Sequence, residues 1–224
     1  MVHIKTKFKR PADDLIEGLS KFSVATIHEA QGRKGALDSA VKPIDRAMSF
    51  CGPAFTVKGA PRDNLMLQLG ITYASPGDVL VFSAGGMFTE AGCFGDVLGN
   101  AAQSRGLRGL VTDTGVRDSK ELTELNFPVF SNGICIKGTV KETLGEAGVP
   151  IIIAGETIYP GDIVCGDADG VVVIRQEEAE WVLEQCQARV DDEDAFIREY
   201  RSGKTPVEVS GLAALLETKG LVVD

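Results

Sequence analysis

The chain has 224 residues, 44% of them hydrophobic and 25% charged, with a formal net charge of -9. That length and balance suit a single folded domain with a substantial core and exclude a disordered or low-complexity chain. The acidic excess argues against a nucleic-acid partner held through its phosphates, and no apolar run approaches the ~20 residues that cross a bilayer.

The opening residues MVHIKTKFKR lack the apolar centre of a secretory signal. KFKRP at 7–11 is the densest basic run, short enough to be read as a solvated arm. The five cysteines are odd in number and widely spaced, with no CxxC and only His3 and His28 beside them. A structural zinc site is therefore not expected. Each cysteine reads as a small buried hydrophobe, and the expected location is a reducing one, the cytoplasm.

Asp13–Phe22 carries apolar residues at helical spacing, and SVATIHEAQG begins a second helix with Ser23 or Thr26 as its cap and Gly32 as its stop. CGPAFTVKG reads as a strand, followed by a helix in PRDNLMLQLGITYA capped by Asp63 or Asn64. Pro76-Gly77-Asp78 turns into the buried strand VLVFSA, and Pro160-Gly161-Asp162 repeats that turn before IVCGDADGVVVI. Within that segment GDADG lacks the ligand spacing of a calcium loop and predicts a hairpin turn. SAGG at 83–86 is not followed by GKS or GKT, which excludes a nucleotide phosphate loop. A long helix is predicted over 177–200, with Trp181, Val182, Cys186, Val190 and Ile197 on its apolar stripe, and a last one over 211–219. Residues 177–224 form a helical extension of the single domain.

The stretch GCFGDVLGNAAQSRGLRGLVTDTGVRD at 92–118 holds the chemistry. Val97, Leu98, Ala101 and Ala102 mark one face of a helix that starts at Asp96 and closes at Arg105-Gly106, and Leu107–Val111 reads as the next strand. The unpaired N–H groups of Gly95, Asp96, Val97 and Leu98 at the helix start suit a carboxylate. Arg117 and Asp118 then fall in the loop beyond the strand, where open α/β sheets gather ligand groups. Arg117 offers two planar donors and Asp118 a hard oxygen ligand. On pattern alone, a helix cap and a surface ion pair explain these residues equally well.

Asp96, twenty intervening residues, then Arg117-Asp118 resembles the D-x20-R-D signature of the 4-hydroxy-4-methyl-2-oxoglutarate aldolase family. That family shares its fold with the regulator of ribonuclease activity A proteins. The blocks SVATIHEAQGRKG, SPGDVLV, ELTELNFPVFS and KGTVKE extend the resemblance through most of the chain. The resemblance implies an α/β fold of the β/β/α swivelling type, assembled as a homotrimer or homohexamer with the active site between subunits. It places the pyruvate carboxylate on Gly95, Asp96, Val97 and Leu98, the pyruvate oxygens on Arg117, and Mg2+ or Mn2+ on Asp118, largely through waters. Asn64 and Glu29 would line the same pocket, and Gln68 stands where some family aldolases have histidine. The base is open between a metal-bound hydroxide, Asp96 and an acid from the adjacent chain, placed at Glu193 with Asp191, Asp192 and Asp194 as rivals. No cue points to a Schiff-base lysine, and Lys58, Lys137 and Lys141 read as structural.

The activity so implied is a metal-dependent pyruvate aldolase. It would act on 4-hydroxy-4-methyl-2-oxoglutarate or 4-carboxy-4-hydroxy-2-oxoadipate, with oxaloacetate decarboxylation as a side activity or the main one. The alternative from the same fold is a non-catalytic regulator that binds a ribonuclease. Against it stands the acidic extension, which, as the resemblance implies, the shorter regulators lack.

Overall fold

The computed structural model describes residues 3–223. Met1, Val2 and Asp224, the ends of the single-domain reading, lie outside them. Helices α1 (Asp13–Leu19) and α2 (Val24–Ala30) lead into β1 (Lys42–Pro43), β2 (Phe50–Lys58), α3 (Leu65–Tyr73), β3 (Val79–Ser83) and β4 (Phe88–Gly92). Next come α4 (Asp96–Ser104), β5 (Gly109–Thr112), β6 (Thr114–Val116), α5 (Ser119–Glu124), β7 (Val129–Ser131) and β8 (Gly133–Ile134). The chain ends with β9 (Glu146–Ala147), β10 (Ile151–Ile153), β11 (Glu156–Ile158), β12 (Ile163–Asp167), β13 (Gly170–Ile174), α6 (Ala179–Arg201), α7 (Pro206–Val209) and α8 (Ala213–Thr218).

The main sheet runs β1-β7-β5-β3-β2-β12-β13, with β9 also paired to β2. The contacts among β2, β3, β5 and β7 are parallel, whereas β12 lies antiparallel to β2. Both faces of this sheet are covered, which is why VLVFS and most of FCGPAFTVK are apolar without alternation. Phe55, Val57, Leu80, Phe82 and Leu110 face Met66 and Leu67 of α3, Ala102 of α4 and Leu122 of α5. Their neighbours Ala54, Val79, Val81 and Val111 point the other way, toward Ile151, Ile153 and Ile158. A third cluster packs α1, α2 and α6 against β12 and β13. Each fully buried Leu, Ile or Phe contributes about 1.5–3 kcal/mol relative to exposure.

The two Pro-Gly-Asp turns have one construction. Gly77 and Gly161 sit at φ +90 and +89, the conformation that a type II turn requires after its proline. Asp78 accepts from Ser75 N and Asp162 from Tyr159 N. Each buried aspartate also binds an arginine, Arg10 at Asp78 and Arg175 at Asp162. Arg10 further lies over the Phe8 ring, 4.1 Å from its centroid, and Phe8 packs on Phe55. The KFKRP arm is therefore docked rather than solvated, because a two-donor contact to a buried carboxylate outweighs the freedom of the arm.

Other expectations hold or change in detail. The first helix ends at Leu19, Ser23 is the cap of α2, and GDADG is the β12–β13 hairpin turn. Trp181 is half-exposed and Ile197 is exposed, so the buried stripe of α6 is Ala179, Val182 and Cys186. The last helix begins at Ala213 rather than Gly211, and Thr205 with Glu208 forms a capping box that starts the separate α7. Among the described residues no helix is long and apolar enough to cross a membrane.

Candidate active site

The start of α4, which follows β4, and the end of β6 deliver the site. β5 ends at Thr112, Asp113 follows, and the chain passes into β6, which lies between β4 and β8 in a separate three-stranded parallel sheet. The strand expected to stop at TDTG is thus two strands joined at a fully buried aspartate. Asp113 accepts from Ser83 Oγ at 2.7 Å and Ala84 N at 2.9 Å. Burial pushes its carboxyl up in pKa, with these donors acting against the rise. The short β6 then presents Arg117 and Asp118 at its end.

Gly95 is the cap residue of α4, and no side chain of α4's own start caps it. Asp118 does so from outside, accepting from Asp96 N at 3.1 Å. One of the four expected amide donors is therefore engaged, while Val97 and Leu98 N–H have no protein acceptor among the described residues. Of the expected face, Leu98, Ala101 and Ala102 pack on the core, whereas Val97 is 76% exposed and Gly99 is buried in its place. Arg117 N donates to Phe94 O at 2.8 Å, and its Nε lies 3.5 Å from Asp118 Oδ2. Asp118 is held at φ 54, a left-handed conformation at the start of α5. Asp96 accepts from Asn100 Nδ2 at 2.7 Å.

The space between the two elements depends on Gly95. A Cβ there would collide with Asp118 Oδ2 and lie 3.0 Å from Arg117 Cγ. Because Gly95 has an extended backbone that any residue adopts, the conflict is one of space alone. Gly95→Ala is expected to leave the thermal unfolding midpoint nearly unchanged while displacing Asp118. Any reaction that depends on the Asp118 carboxylate should slow at least about tenfold, the scale of a lost orienting contact.

Asn64 Nδ2 donates to Cys93 O at 3.3 Å, and Gln68 Nε2 to Asn64 Oδ1 at 3.3 Å, which places both beside the strand leading to Gly95. The segment 137–143 forms the neighbouring wall. Gly92 N donates to Lys137 O, a Cβ on Gly138 would lie 3.9 Å from Arg117 Nη1, and Lys137 is ion-paired with Glu90. Asp63 fastens this wall. Its buried carboxylate accepts from Leu65 N, Glu142 N and Thr143 N at 2.8, 2.9 and 2.7 Å. Sequence reasoning had weighed Asp63 only as a helix cap.

Burial opposes ionisation of Asp63, but the three N–H donors prevail and its pKa lies below the usual value. The unfolded chain then binds this proton at higher pH than the folded one. The contribution is complete above the unfolded pKa and is lost as pH falls through the lower folded value. Asp63→Asn should cost about 1–3 kcal/mol near neutral pH, since an amide group must face N–H donors. Urea unfolding of both proteins from pH 7 to pH 2 should show the difference shrinking in acid.

Glu193 and Glu29 are not brought to this site within the chain. Glu193 lies on α6, with Oε1 2.9 Å from Arg189 Nε, and Arg189 also approaches Glu29 at 3.8 Å. The Arg189 N–H is not aimed at Glu193, so the contact is an ion pair without a hydrogen bond. Arg117 and Asp118 are 46% and 38% exposed, forming a shallow, open site.

Asp118 and Asp96 are hard oxygen donors, and Asp118 Oδ1 has no hydrogen-bond partner among the described residues. One or two carboxylates with waters and substrate are what magnesium or manganese ordinarily takes from a protein. The residues therefore fit such an ion. Among the described residues no group of three or more His, Cys, Asp or Glu forms a closed cage.

Comparison with known proteins agrees with this architecture. A family model described as RraA-like, Aldolase/RraA, matches residues 20–173. A Halalkalibacterium halodurans protein named "Putative 4-hydroxy-4-methyl-2-oxoglutarate aldolase" is 37% identical over 182 residues, covering 81% of this chain and 86% of that protein. The structure of Streptomyces coelicolor RraAS2, described as an unusual member of the RNase ES inhibitor RraA family, superposes with a TM-score of 0.73. It is 29% identical and covers 84% of this chain and 98% of that one. The Thermus RNA-processing inhibitor RraA superposes at 0.62 with 25% identity, over 68% of this chain and 92% of that one. With its mixed α/β sheet and the family model matched over residues 20–173, this chain belongs to the RraA-like family.

Proposed function

We propose that this protein is a divalent-metal-dependent lyase. It would cleave 4-hydroxy-4-methyl-2-oxoglutarate to two molecules of pyruvate, or 4-carboxy-4-hydroxy-2-oxoadipate to pyruvate and oxaloacetate, with oxaloacetate decarboxylation at the same site. The observation that carries this reading is the convergence of Arg117 and Asp118 on the start of α4, across a space that a Cβ at Gly95 would fill. The name of the Halalkalibacterium relative supports the same substrate class.

In this reading the substrate's 1-carboxylate accepts from Val97 and Leu98 N–H at the positive end of α4. Arg117 donates to the 2-oxo group and the carboxylate, fixing their common plane. When the C4 hydroxyl loses its proton and the C3–C4 bond breaks, the electron pair passes to the pyruvate half as an enolate. Arg117 stabilises the charge that develops there. Asp118 would hold Mg2+ or Mn2+, which would supply Lewis acidity to the reaction. The proton of the C4 hydroxyl goes to a carboxylate, either Asp96 or Glu193 from a second copy of the chain, and a proton returned to C3 of the enolate completes pyruvate. The exposure of Arg117 and Asp118 supports a site completed by another subunit, in a homotrimer or homohexamer.

The test is pyruvate release from each hydroxy acid and from oxaloacetate, with magnesium, manganese or excess chelator. Chelator-sensitive release from a hydroxy acid is the expected result. Decarboxylation alone would move the assignment to an oxaloacetate decarboxylase. No turnover of any of the three would sink the enzyme reading in favour of a ribonuclease regulator.

A further inference from the structure

Cys51 on β2 and Cys165 on β12 stand directly opposite each other in the antiparallel ladder, with their sulfurs 3.0 Å apart. Their position in the hydrogen-bond alternation is decisive. Ala54 N donates to Asp162 O, so hydrogen-bonded positions recur at Gly52–Val164, and Cys51–Cys165 falls at a non-hydrogen-bonded position. Such pairs bring their Cα atoms to about 4.5 Å, within the range of ~4.4–6.8 Å that a disulfide spans. Both are buried hydrophobes as the sequence suggests, whereas Cys135 is only partly buried.

The pair is buried but borders open space. A cavity of about 480 Å³ opens beside it, lined by Lys21, Ser23, Ser49, Cys51, Cys165 and Asp167 among others. Cys186 belongs to the same apolar cluster but forms no hydrogen bond with either sulfur among the described residues. Cys51 also donates to Ile16 O at 3.5 Å, which orients its side chain.

We propose that Cys51 and Cys165 form an oxidisable pair that a peroxide converts to a reversible disulfide joining β2 to β12. The Cys51 sulfur attacks one peroxide oxygen, the O–O bond breaks, and Cys51 becomes a sulfenic acid with release of one water from hydrogen peroxide. Cys165 then attacks the Cys51 sulfur, the S–O bond breaks, and the second water leaves as the S–S bond forms. Two thiols lose two protons and two electrons, and one peroxide is reduced to two waters. Cys165 S–H donates to the Cys51 sulfur, which orients Cys51 for the first attack. The bond would form near the end of the sheet where β3 begins, because Cys51 precedes Ala54, the partner of Val79. Arg117 and Asp118 follow β6, beyond the other end.

The experiment treats the intact native protein with hydrogen peroxide, quenches and denatures it, counts alkylatable thiols and maps cross-linked peptides by mass. The count should fall from five to three, with one cross-linked peptide joining Cys51 to Cys165. Dithiothreitol should restore all five. Cys186→Ser should still lose two thiols, whereas Cys51→Ser and Cys165→Ser should give no cross-link. The wild-type map decides the matter if either serine variant fails to fold. An unchanged count, a disulfide to Cys186 or to another chain, or over-oxidation of Cys51 without a cross-link would overturn the proposal.

Discussion

Arg117→Ala is expected to lower kcat/KM for pyruvate release by about 10²–10³-fold, the usual scale for removing a donor aimed at charge that develops in the transition state. The fold should survive. The Arg117 side chain is 46% exposed, and its contact with the main chain is made by its own N–H to Phe94 O, which alanine keeps. Arg117→Lys should recover only part of the loss, because an ammonium cannot reproduce two coplanar donors spaced for a carboxylate and a carbonyl. Steady-state kinetics on the better hydroxy-acid substrate, with far-ultraviolet circular dichroism as the folding control, provides the check. Full activity in the alanine variant would remove Arg117 from the site.

The second large effect belongs to Asp118, whose two functions can be separated. Its Oδ2 holds Asp96 N, and its charge serves the metal ion in the proposed mechanism. Asp118→Asn keeps an oxygen acceptor for that N–H and tolerates the left-handed conformation at φ 54, which alanine adopts less readily. Asparagine should therefore leave the helix start intact while weakening metal affinity by about 10–100-fold. Alanine should abolish stimulation by added metal altogether. Titration of activity with manganese, read beside direct manganese binding by relaxation of water protons, measures both. Metal dependence identical to wild type in both variants would refute the assignment.

Much of the candidate site was legible before any fold was known. Asp96 and Arg117-Asp118 fall at a helix start and a strand end whose periodicities are local, and their spacing carries the resemblance. The arrangement that makes them a site was not legible. Asp118 reaches back 22 residues to Asp96 N, and the room for it depends on the missing Cβ of Gly95. The wall at 137–143 depends on Asp63, about 80 residues earlier in the chain. A buried acid that clasps distant backbone looks in sequence like any other residue before a helix.

The same division holds through the molecule. Sequence by itself determined the elements with a clear local signal: the buried strand VLVFS, the helix stripe at Val182 and Cys186, and the two Pro-Gly-Asp turns whose glycines adopt positive φ. These follow from interactions within a few residues. Only the tertiary structure decided that TDTG joins strands of two different sheets, that Arg10 docks on Asp78, and that Cys51 faces Cys165. The last two pairs are separated by 68 and 114 residues. Strand order and register bring them together, and those are set by how the whole core packs, since shifting a strand by one residue turns every side chain to its other face.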